Sequence, residues 1–269
     1  MLLREVEHAR PTSVHDALRL LAEHDGARAL AGGQTLINVM KARAASPDVL
    51  VDLNALDDLR GIELGADGTL TLGAMVTYTA IVESAEARAR PILGEVCNQI
   101  ADVQVRNRGT IGGNVCSNDP TNHLPPLMVA LRATMTIVGP GGERQVPAEE
   151  FFLGVYMTAV GPGELLTRLS IPPGRSDGFA AVPIGRDGTC IVNVAASLDG
   201  GAARIAIGCV DAVPVLVTAE PGEPDAVRDA VRAANLQPPA DVHASADYRR
   251  HLAEVLAIRA VAQARERTH

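Results

Sequence analysis

Two short segments carry a Gly-Gly pair, and their residue types offer the clearest chemistry in the chain. "AGGQT" spans residues 31–35 and "GTIGGNV" spans residues 109–115. Glycine lacks a Cβ and tolerates positive φ, so such a pair lets backbone N–H groups approach a ligand closely. Successive N–H groups in a turn bind anions, and a helix that starts directly afterwards improves the site. The pattern alone therefore leaves two interpretations open: tight turns, or a phosphate or dinucleotide site built from two loops.

Basic side chains lie beside both motifs. Lys41, the single lysine of the chain, follows the first motif on a predicted helix and either approaches a phosphate or lies in solvent. Arg106 and Arg108 flank the second motif and either fix the loop by hydrogen bonds or contact a partner subunit. No nucleophile–base arrangement or pair of catalytic carboxylates can be assigned, so we predict no catalytic residue in this chain.

Several classes of site are disfavoured by what the sequence lacks. The four cysteines are scattered, with no Cys-x-x-Cys pair, which argues against zinc or an iron–sulfur cluster held by this chain. Neither the dinucleotide fingerprint Gly-x-Gly-x-x-Gly nor a Walker A loop occurs. The net charge of −8 argues against a nucleic-acid partner. No run approaches the roughly 20 apolar residues of a membrane span. The N-terminus has no secretion signal, so a cytoplasmic location is expected.

The N-terminal segment predicts a compact βαβ unit. A helix over "VHDALRLLAEH" has Ser13 as its candidate N-cap, Asp16 in its first turn and Gly26 at its end. The strand "ARAL", the loop "AGGQT", the helix "LINVMKAR" and the strand "DVLVDL" follow in order. Such alternation is typical of a parallel sheet, with the glycine loop at the carboxyl end of one strand.

The rest of the chain mixes hairpins and helices. Hairpins are predicted around Asp67-Gly68, over "TMTIVGPGGERQVP", and over "CIVNVAASLDGGAARIAIGCV" with its turn at Asp199-Gly200-Gly201. Helices are predicted over "PILGEVCNQIA", over "NHLPPLMVALRA", and around residues 224–234 and 247–264. "ELLTRLSIP" predicts a further strand, and the composition changes near residues 171–178.

Six segments in order resemble a known family. They are "AGGQTLINVMKAR", "QVRNRGTIGGNV", "DP…LPPLMVAL", "VPAEEFF", "PGELLTRLSIP" and "HASADYRRHLAEVLAIRA". Together they look like the FAD-binding medium subunit of molybdenum hydroxylases, the group of carbon monoxide dehydrogenase and xanthine dehydrogenase. The resemblance implies an α+β fold: a two-lobed vanillyl-alcohol-oxidase (PCMH)-type FAD-binding domain, then a small C-terminal domain of antiparallel sheet plus helices. The expected divisions are 1–55 for lobe 1, 56–173 for lobe 2 and 174–269 for the C-terminal domain.

The resemblance also implies the cofactor contacts. Two backbone segments are expected to hold the pyrophosphate of a non-covalent FAD, and isolated residues are expected to contact the flavin. The first segment comprises Ala29, Leu30, Ala31, Gly32, Gly33, Gln34, Thr35 and Leu36, and the second comprises Thr110, Ile111, Gly112, Gly113 and Asn114. The isolated residues are Ile100, Ala101, Ser117, Leu166 and His123, the last standing where the family often has an acidic residue.

In such enzymes the substrate is oxidised in a separate large subunit that carries molybdopterin, and a small subunit carries two [2Fe–2S] clusters. By likeness, this chain passes electrons from those clusters through FAD to an external acceptor, within a dimer of heterotrimers. Ala181, Ile184-Gly185 and Thr189 replace side chains that the family usually places near the flavin ring. Two alternatives therefore stay open: a scaffolding subunit that has lost flavin, and a self-standing FAD oxidase.

Overall fold

The computed structural model describes residues 3–185, 189–199 and 201–267, which form three main sheets and a small hairpin. Each main sheet has an apolar core of its own. The fold is a mixture of helices and mostly antiparallel sheets, as the α+β prediction requires. The core of the first sheet also includes Met75 and Leu165 from the second unit, so the first two units share apolar contacts. The divisions at residues 55 and 173 stay predictions.

The first unit is a parallel three-stranded sheet of order β1-β3-β2. Its elements are β1 Glu7–Ala9, α1 Val14–Glu23, β2 Ala27–Leu30, α2 Leu36–Lys41 and β3 Val49–Asp52, followed by 3-10 turns at Leu53–Ala55 and Asp57–Leu59. The predicted βαβ unit is confirmed, because β2 and β3 pair in parallel on either side of α2. Ser13 caps α1 as predicted: its Oγ accepts a hydrogen bond from the Asp16 N–H at 3.1 Å.

The second unit is a five-stranded antiparallel sheet of order β4-β5-β10-β6-β7, with helices packed on it. Its strands are β4 Ile62–Leu64, β5 Leu70–Gly73, β6 Thr134–Gly139, β7 Gly142–Pro147, the small hairpin β8 Phe152–Gly154 and β9 Met157–Thr158, and β10 Leu165–Ile171. Its helices are α3 Tyr78–Glu83, a 3-10 turn Glu86–Ala89, α4 Pro91–Gln99, α5 Val103–Arg108, α6 Ile111–Ser117, α7 Leu124–Ala130 and α8 Ala148–Phe151. The hairpins predicted at Asp67-Gly68 and over residues 134–147 are confirmed.

The predicted loop over "GTIGGNV" is wrong, because its Gly112-Gly113 pair lies in the first turn of α6, while Gly109 caps the end of α5. Two side chains cap the helices of this segment: Asp102 accepts from the Val105 N–H at 2.8 Å, and Thr110 accepts from the Gly113 N–H at 3.1 Å. A glycine costs a helix about 1 kcal/mol relative to alanine. Here it is retained by packing, since a Cβ on Gly112 would lie 2.6 Å from the Ala74 carbonyl oxygen.

The C-terminal unit is an antiparallel sheet of order β11-β12-β13-β14 with two helices. Its elements are β11 Asp177–Ile184, β12 Thr189–Asp199, β13 Ala202–Gly208, β14 Val215–Ala219, α9 Pro224–Ala233 and α10 Ala246–Glu266. The β12–β13 hairpin and both helices are confirmed, and Gly200 of the predicted turn lies outside the described residues. Among the helices described, none is both long and apolar enough to cross a membrane.

A buried ion pair fixes the C-terminal sheet to the second unit. The Arg90 guanidinium donates from Nε to Asp177 Oδ2 at 2.6 Å and from Nη2 to Asp177 Oδ1 at 2.8 Å. It also donates to Ser197 Oγ at 3.1 Å and to the Pro172 carbonyl at 2.5 Å. The bidentate geometry and the extra acceptors satisfy an arginine that is 4% exposed, so the contact sets how the two units meet.

Candidate FAD site

The two glycine motifs, far apart in sequence, touch each other in the fold. A Cβ on Gly32 would lie 2.0 Å from the Arg108 carbonyl oxygen and 3.0 Å from the Gly109 Cα. A Cβ on Gly113 would lie 3.5 Å from the Ala31 Cβ. Gly32 is therefore required by close backbone packing between the first and second units. We call this contact between residues 31–33 and 108–113 the glycine seam.

The first motif is a loop whose carbonyls are satisfied and whose N–H groups are not. Gln34 Nε2 donates to the Gly32 carbonyl at 3.0 Å, and Asn54 Nδ2 donates to the Ala31 carbonyl at 3.0 Å. Gly33 has a φ of +74°, which turns the chain into α2. Within the described part of the chain, the backbone N–H groups of Gly33, Gln34 and Thr35 have no protein acceptor. Three successive free donors are suited to an anion.

The second motif differs, because its N–H groups are already used. The Ile111 N–H donates to the Val76 carbonyl and the Gly112 N–H to the Ala74 carbonyl, both at 2.9 Å. Gly113 and Asn114 donate to Thr110, at 3.1 Å to its Oγ1 and at 3.0 Å to its carbonyl. A ligand at this segment would therefore meet the half-buried Gly113 face and the Asn114 side chain, not a row of free N–H groups.

Asn114 carries an unused polar atom next to the seam. Its Nδ2 donates to the Tyr78 Oη at 2.9 Å, while its Oδ1 is buried and has no partner among the described residues. Burial raises the pKa of Tyr78, so its phenol stays protonated at physiological pH. Sequence reasoning did not identify Tyr78 or Asn54, although Asn54 follows a parallel strand at its carboxyl end, where ligand-site residues of open α/β sheets often lie.

A cleft of about 280 Å³ opens at the first motif. Residues of both lobes line it. They are Leu30, Ala31, Gly32, Gly33, Gln34, Ile37, Asn38, Lys41 and Arg108. The predicted contacts Ala29 and Leu36 flank this set on β2 and at the start of α2. The cleft therefore combines free backbone donors with two cationic side chains.

Ile100 and Ala101 form the turn between α4 and α5. Ala101 has a φ of +45°, which is unfavourable for a residue with a Cβ. Arg106 Nη1 holds the turn by donating to the Ile100 carbonyl at 3.0 Å and the Ala101 carbonyl at 2.8 Å. Of the two alternatives left open for Arg106, the structure shows hydrogen bonds within the chain, but they hold the turn at residues 100–101 and not the second glycine motif. Helix α5 follows this turn and ends at Arg108, which lies in the glycine seam.

His123 lies away from the cleft, against the C-terminal sheet. It is 3% exposed, stacks on Phe179 with ring centroids 5.5 Å apart, and places Nε2 3.5 Å from Cys190 Sγ. Burial lowers the pKa of His123 to about 4 and raises that of Cys190 to about 11. Both groups are therefore neutral near pH 7.

The structure thus offers an uncharged imidazole where the family pattern suggests an acid. Ala181 lies on β11 opposite Asn193, and Thr189 begins β12 opposite Ile184. Both positions belong to the sheet against which His123 packs.

A series of hydrogen bonds between polar side chains and backbone carbonyls joins α6 to the C-terminal sheet. Ser117 Oγ donates to the Asn114 carbonyl at 2.8 Å, and Asn122 Nδ2 donates to Ser117 Oγ at 3.2 Å. Asn193 Nδ2 of β12 donates to the Asn122 carbonyl at 3.0 Å. Leu166 is buried in β10, which packs against α6. Ser117 therefore lies at the C-terminal end of α6 and is linked through Asn122 to the sheet on which His123 packs, while the glycine seam lies at the start of α6.

Residues 4–174 match the family "FAD binding domain in molybdopterin dehydrogenase", which covers both glycine motifs and the seam between them. The chain belongs to this family. Its fold agrees with that of the Cu,Mo-CO dehydrogenase, with a TM-score of 0.91 at 36% identity over 99% of this chain and 100% of that one. Quinoline 2-oxidoreductase of Pseudomonas putida 86 matches with a TM-score of 0.90 at 31% identity, over the full length of both chains.

Sequence relatives agree with this assignment. The carbon monoxide dehydrogenase medium chain of Afipia carboxidovorans is 38% identical, over 99% of each chain. The nicotine 6-hydroxylase medium subunit of Paenarthrobacter nicotinovorans is 33% identical, over 100% of each. This member of the family is therefore the FAD-binding medium subunit of a molybdenum-containing oxidoreductase.

The residues present fit FAD at its phosphate end. The free N–H groups of Gly33, Gln34 and Thr35 are the donors that a diphosphate needs. The seam leaves no space for a Cβ at Gly32, so the backbone itself forms the wall. The unpartnered Asn114 Oδ1 is an acceptor, so it suits an N–H or O–H group of a ligand and not a phosphate oxygen. The free donors therefore fit a diphosphate at residues 33–35, and the contacts in the rest of residues 29–36 and in residues 110–114 stay predictions.

Proposed function

We propose that this chain binds FAD non-covalently across the glycine seam and serves as the electron-transfer subunit of a cytoplasmic molybdenum hydroxylase. The observation that carries the proposal is the seam itself, where three free N–H groups of one lobe lie beside the α6 start of the other. The diphosphate would lie on Gly33, Gln34 and Thr35, and Gly113 and Asn114 would border it from the second lobe.

The flavin would extend from the seam along α6 towards the C-terminal sheet. The turn at Ile100-Ala101, Ser117, Leu166 and His123 would form its surroundings. FAD supplies the ability to take up electrons from one-electron carriers and to deliver them to a second acceptor. The protein contributes a neutral, dry boundary through His123 and Phe179, because neither group carries charge near pH 7.

Partner subunits would supply the rest of the pathway. We infer that a small subunit with two [2Fe–2S] clusters delivers electrons and that a large molybdopterin subunit oxidises the substrate, in a dimer of heterotrimers. Relatives that are 31–38% identical are named for carbon monoxide, nicotine and quinoline. Relatives with similar medium chains are thus named for very different small molecules. We therefore propose that the large subunit determines which substrate is oxidised.

The test is purification of the tagged full chain from its native host under gentle conditions. We expect a yellow complex that releases FAD on heat denaturation and contains two further polypeptides with iron and molybdenum. A colourless complex that takes up no added FAD would indicate a scaffolding subunit. A yellow chain without partners that reduces oxygen with its own substrate would indicate a self-standing oxidase.

A matched pair of glycine variants assigns the site. Gly33→Val places a branched side chain at a φ of +74°, where the nearest atoms to a Cβ are 3.2 Å away on Ile37, and should abolish flavin retention. Gly141→Val should retain flavin, since nothing lies within 4 Å of a Cβ there. Equal flavin content in the two variants would exclude residues 31–35 as the phosphate site.

A further inference from the structure

Lys41 and Arg108 bring positive charge to the cleft from different lobes. Lys41 lies at the end of α2 in the first unit, and Arg108 lies at the end of α5 in the second. Both line the cleft at the first glycine motif. Lys41 is the single lysine of the chain, whose net charge is −8. The cleft therefore carries charge opposite in sign to the net charge of the protein.

Neither side chain has a counter-charge among the residues that the structure describes. Many arginines of this protein are paired, for example Arg19 with Glu23 and Arg144 with Glu164. In the described part of the chain, Lys41 and Arg108 take part in no ion pair and no side-chain hydrogen bond. None of the residues that line the cleft is acidic. A cleft lined by one sign of charge concentrates ligands of the opposite sign.

The neighbouring amides do not compete for the ligand. Asn38 Nδ2 donates to the Gln34 carbonyl at 2.8 Å, and Gln34 Nε2 donates to the Gly32 carbonyl at 3.0 Å. These two side chains hold the loop in shape. The donors left at the cleft are the N–H groups of Gly33 and Gln34 and the two cationic residues, all of which favour an anion.

We propose that Lys41 and Arg108 form a charge clamp for the diphosphate of FAD. One cation comes from each lobe, so the bound diphosphate ties the first unit to the second across the glycine seam. The Arg108 carbonyl packs on Gly32, so the backbone from which the Arg108 side chain extends lies beside the loop. The clamp rests on the proposed FAD site. It adds two side chains that bind the diphosphate and a link between the two lobes.

Charge-removing variants test the clamp. Lys41→Gln and Arg108→Gln, measured as full chains by equilibrium dialysis, should each weaken FAD binding about three- to tenfold. This loss lies between that expected for an exposed ion pair and that expected for a charge-assisted hydrogen bond. Lys41→Arg and Arg108→Lys should restore most of the affinity. Arg259→Gln removes an exposed arginine of α10 and should leave binding unchanged.

Inorganic pyrophosphate separates the clamp from general flavin binding. It should raise the unfolding temperature of the wild-type apoprotein, compete with FAD, and have little effect on the two Gln variants. If the wild type binds FAD and both Gln variants bind it equally well at low and high salt, the clamp is wrong while the FAD site stands. If pyrophosphate stabilises the flavin-loaded chain as much as the apoprotein, its site is separate and the clamp is also wrong. If the wild type binds no FAD, the proposed function itself fails.

Discussion

Gly32→Ala is the substitution that most directly probes the junction of the two lobes. The added methyl would lie 2.0 Å from the Arg108 carbonyl oxygen, 2.7 Å from its carbonyl carbon and 3.0 Å from the Gly109 Cα. All three atoms belong to backbone, so no side-chain rotation relieves the overlap. Either loop 31–35 or the segment between α5 and α6 must move.

The expected free-energy cost of Gly32→Ala follows from how firmly the neighbouring backbone is held. Overpacking a well-packed interior typically costs about 1–3 kcal/mol. Moving the α5–α6 segment would break the hydrogen bonds of Ile111 to Val76 and of Gly112 to Ala74. The loop is held by fewer bonds, so we expect it to shift and to carry its free N–H groups out of place. Since about 1.4 kcal/mol corresponds to a tenfold change in affinity, a cost of this size at the FAD site should weaken binding by about 5- to 140-fold.

Two measurements on one preparation check this. Flavin content per chain should fall, and the apoprotein should unfold at a temperature a few degrees lower than the wild type. Gly141→Ala is the matched control, because nothing lies within 4 Å of its added methyl. A Gly32→Ala protein with full flavin content and unchanged stability would refute the claim that backbone contact at this glycine positions the site.

Three further substitutions have defined outcomes. Asp177→Asn leaves the buried Arg90 charge without its partner and should lower the free energy of unfolding by about 3–5 kcal/mol in urea titration, whereas a change below 1 kcal/mol would mean that solvent reaches the pair. Arg106→Gln should destabilise the chain by releasing the Ala101 turn, and adding Ala101→Gly should recover about 1 kcal/mol, because glycine tolerates the φ of +45°. The pKa of His123 falls from its usual 6.5 to about 4 in the folded state, so the unfolded state binds more protons between these values. The contribution of His123 is complete above pH 6.5 and is lost towards pH 4, which amounts to about 3 kcal/mol. Thermal unfolding of His123→Leu should therefore depend less on pH in that window than the wild type, and parallel curves would contradict a buried neutral imidazole.

Local signals in the sequence predict much of this fold. Ser13 with Asp16, and Asp67-Gly68 between two β runs, specify a helix start and a hairpin turn through their own backbone chemistry. The order of the second sheet is not local: β10 lies between β5 and β6, which are distant in sequence. Nothing in the residues of one strand states which distant strand it will pair with.

The sequence predicts a loop at the second glycine motif, whereas the structure has a helix there, and the cause is tertiary packing. Two adjacent glycines disfavour a helix on intrinsic propensity. Propensity is outweighed because Thr110 caps the helix and the Gly112 backbone packs on Ala74. The contact of Gly32 with Arg108 was likewise unpredictable, because it depends on how two separately folded segments approach.

The two Gly-Gly pairs therefore contribute to the proposed FAD site in different ways. In loop 31–35, positive φ at Gly33 leaves three N–H groups free for a ligand. In α6, Gly112 and Gly113 use their N–H groups within the protein, and Gly112 packs on Ala74 of its own unit. The first motif thus supplies the donors and, at Gly32, also the close approach of the two units. Substitution of Gly33 should therefore act mainly on affinity, substitution of Gly32 on affinity and stability together, and substitution of Gly112 on stability before affinity.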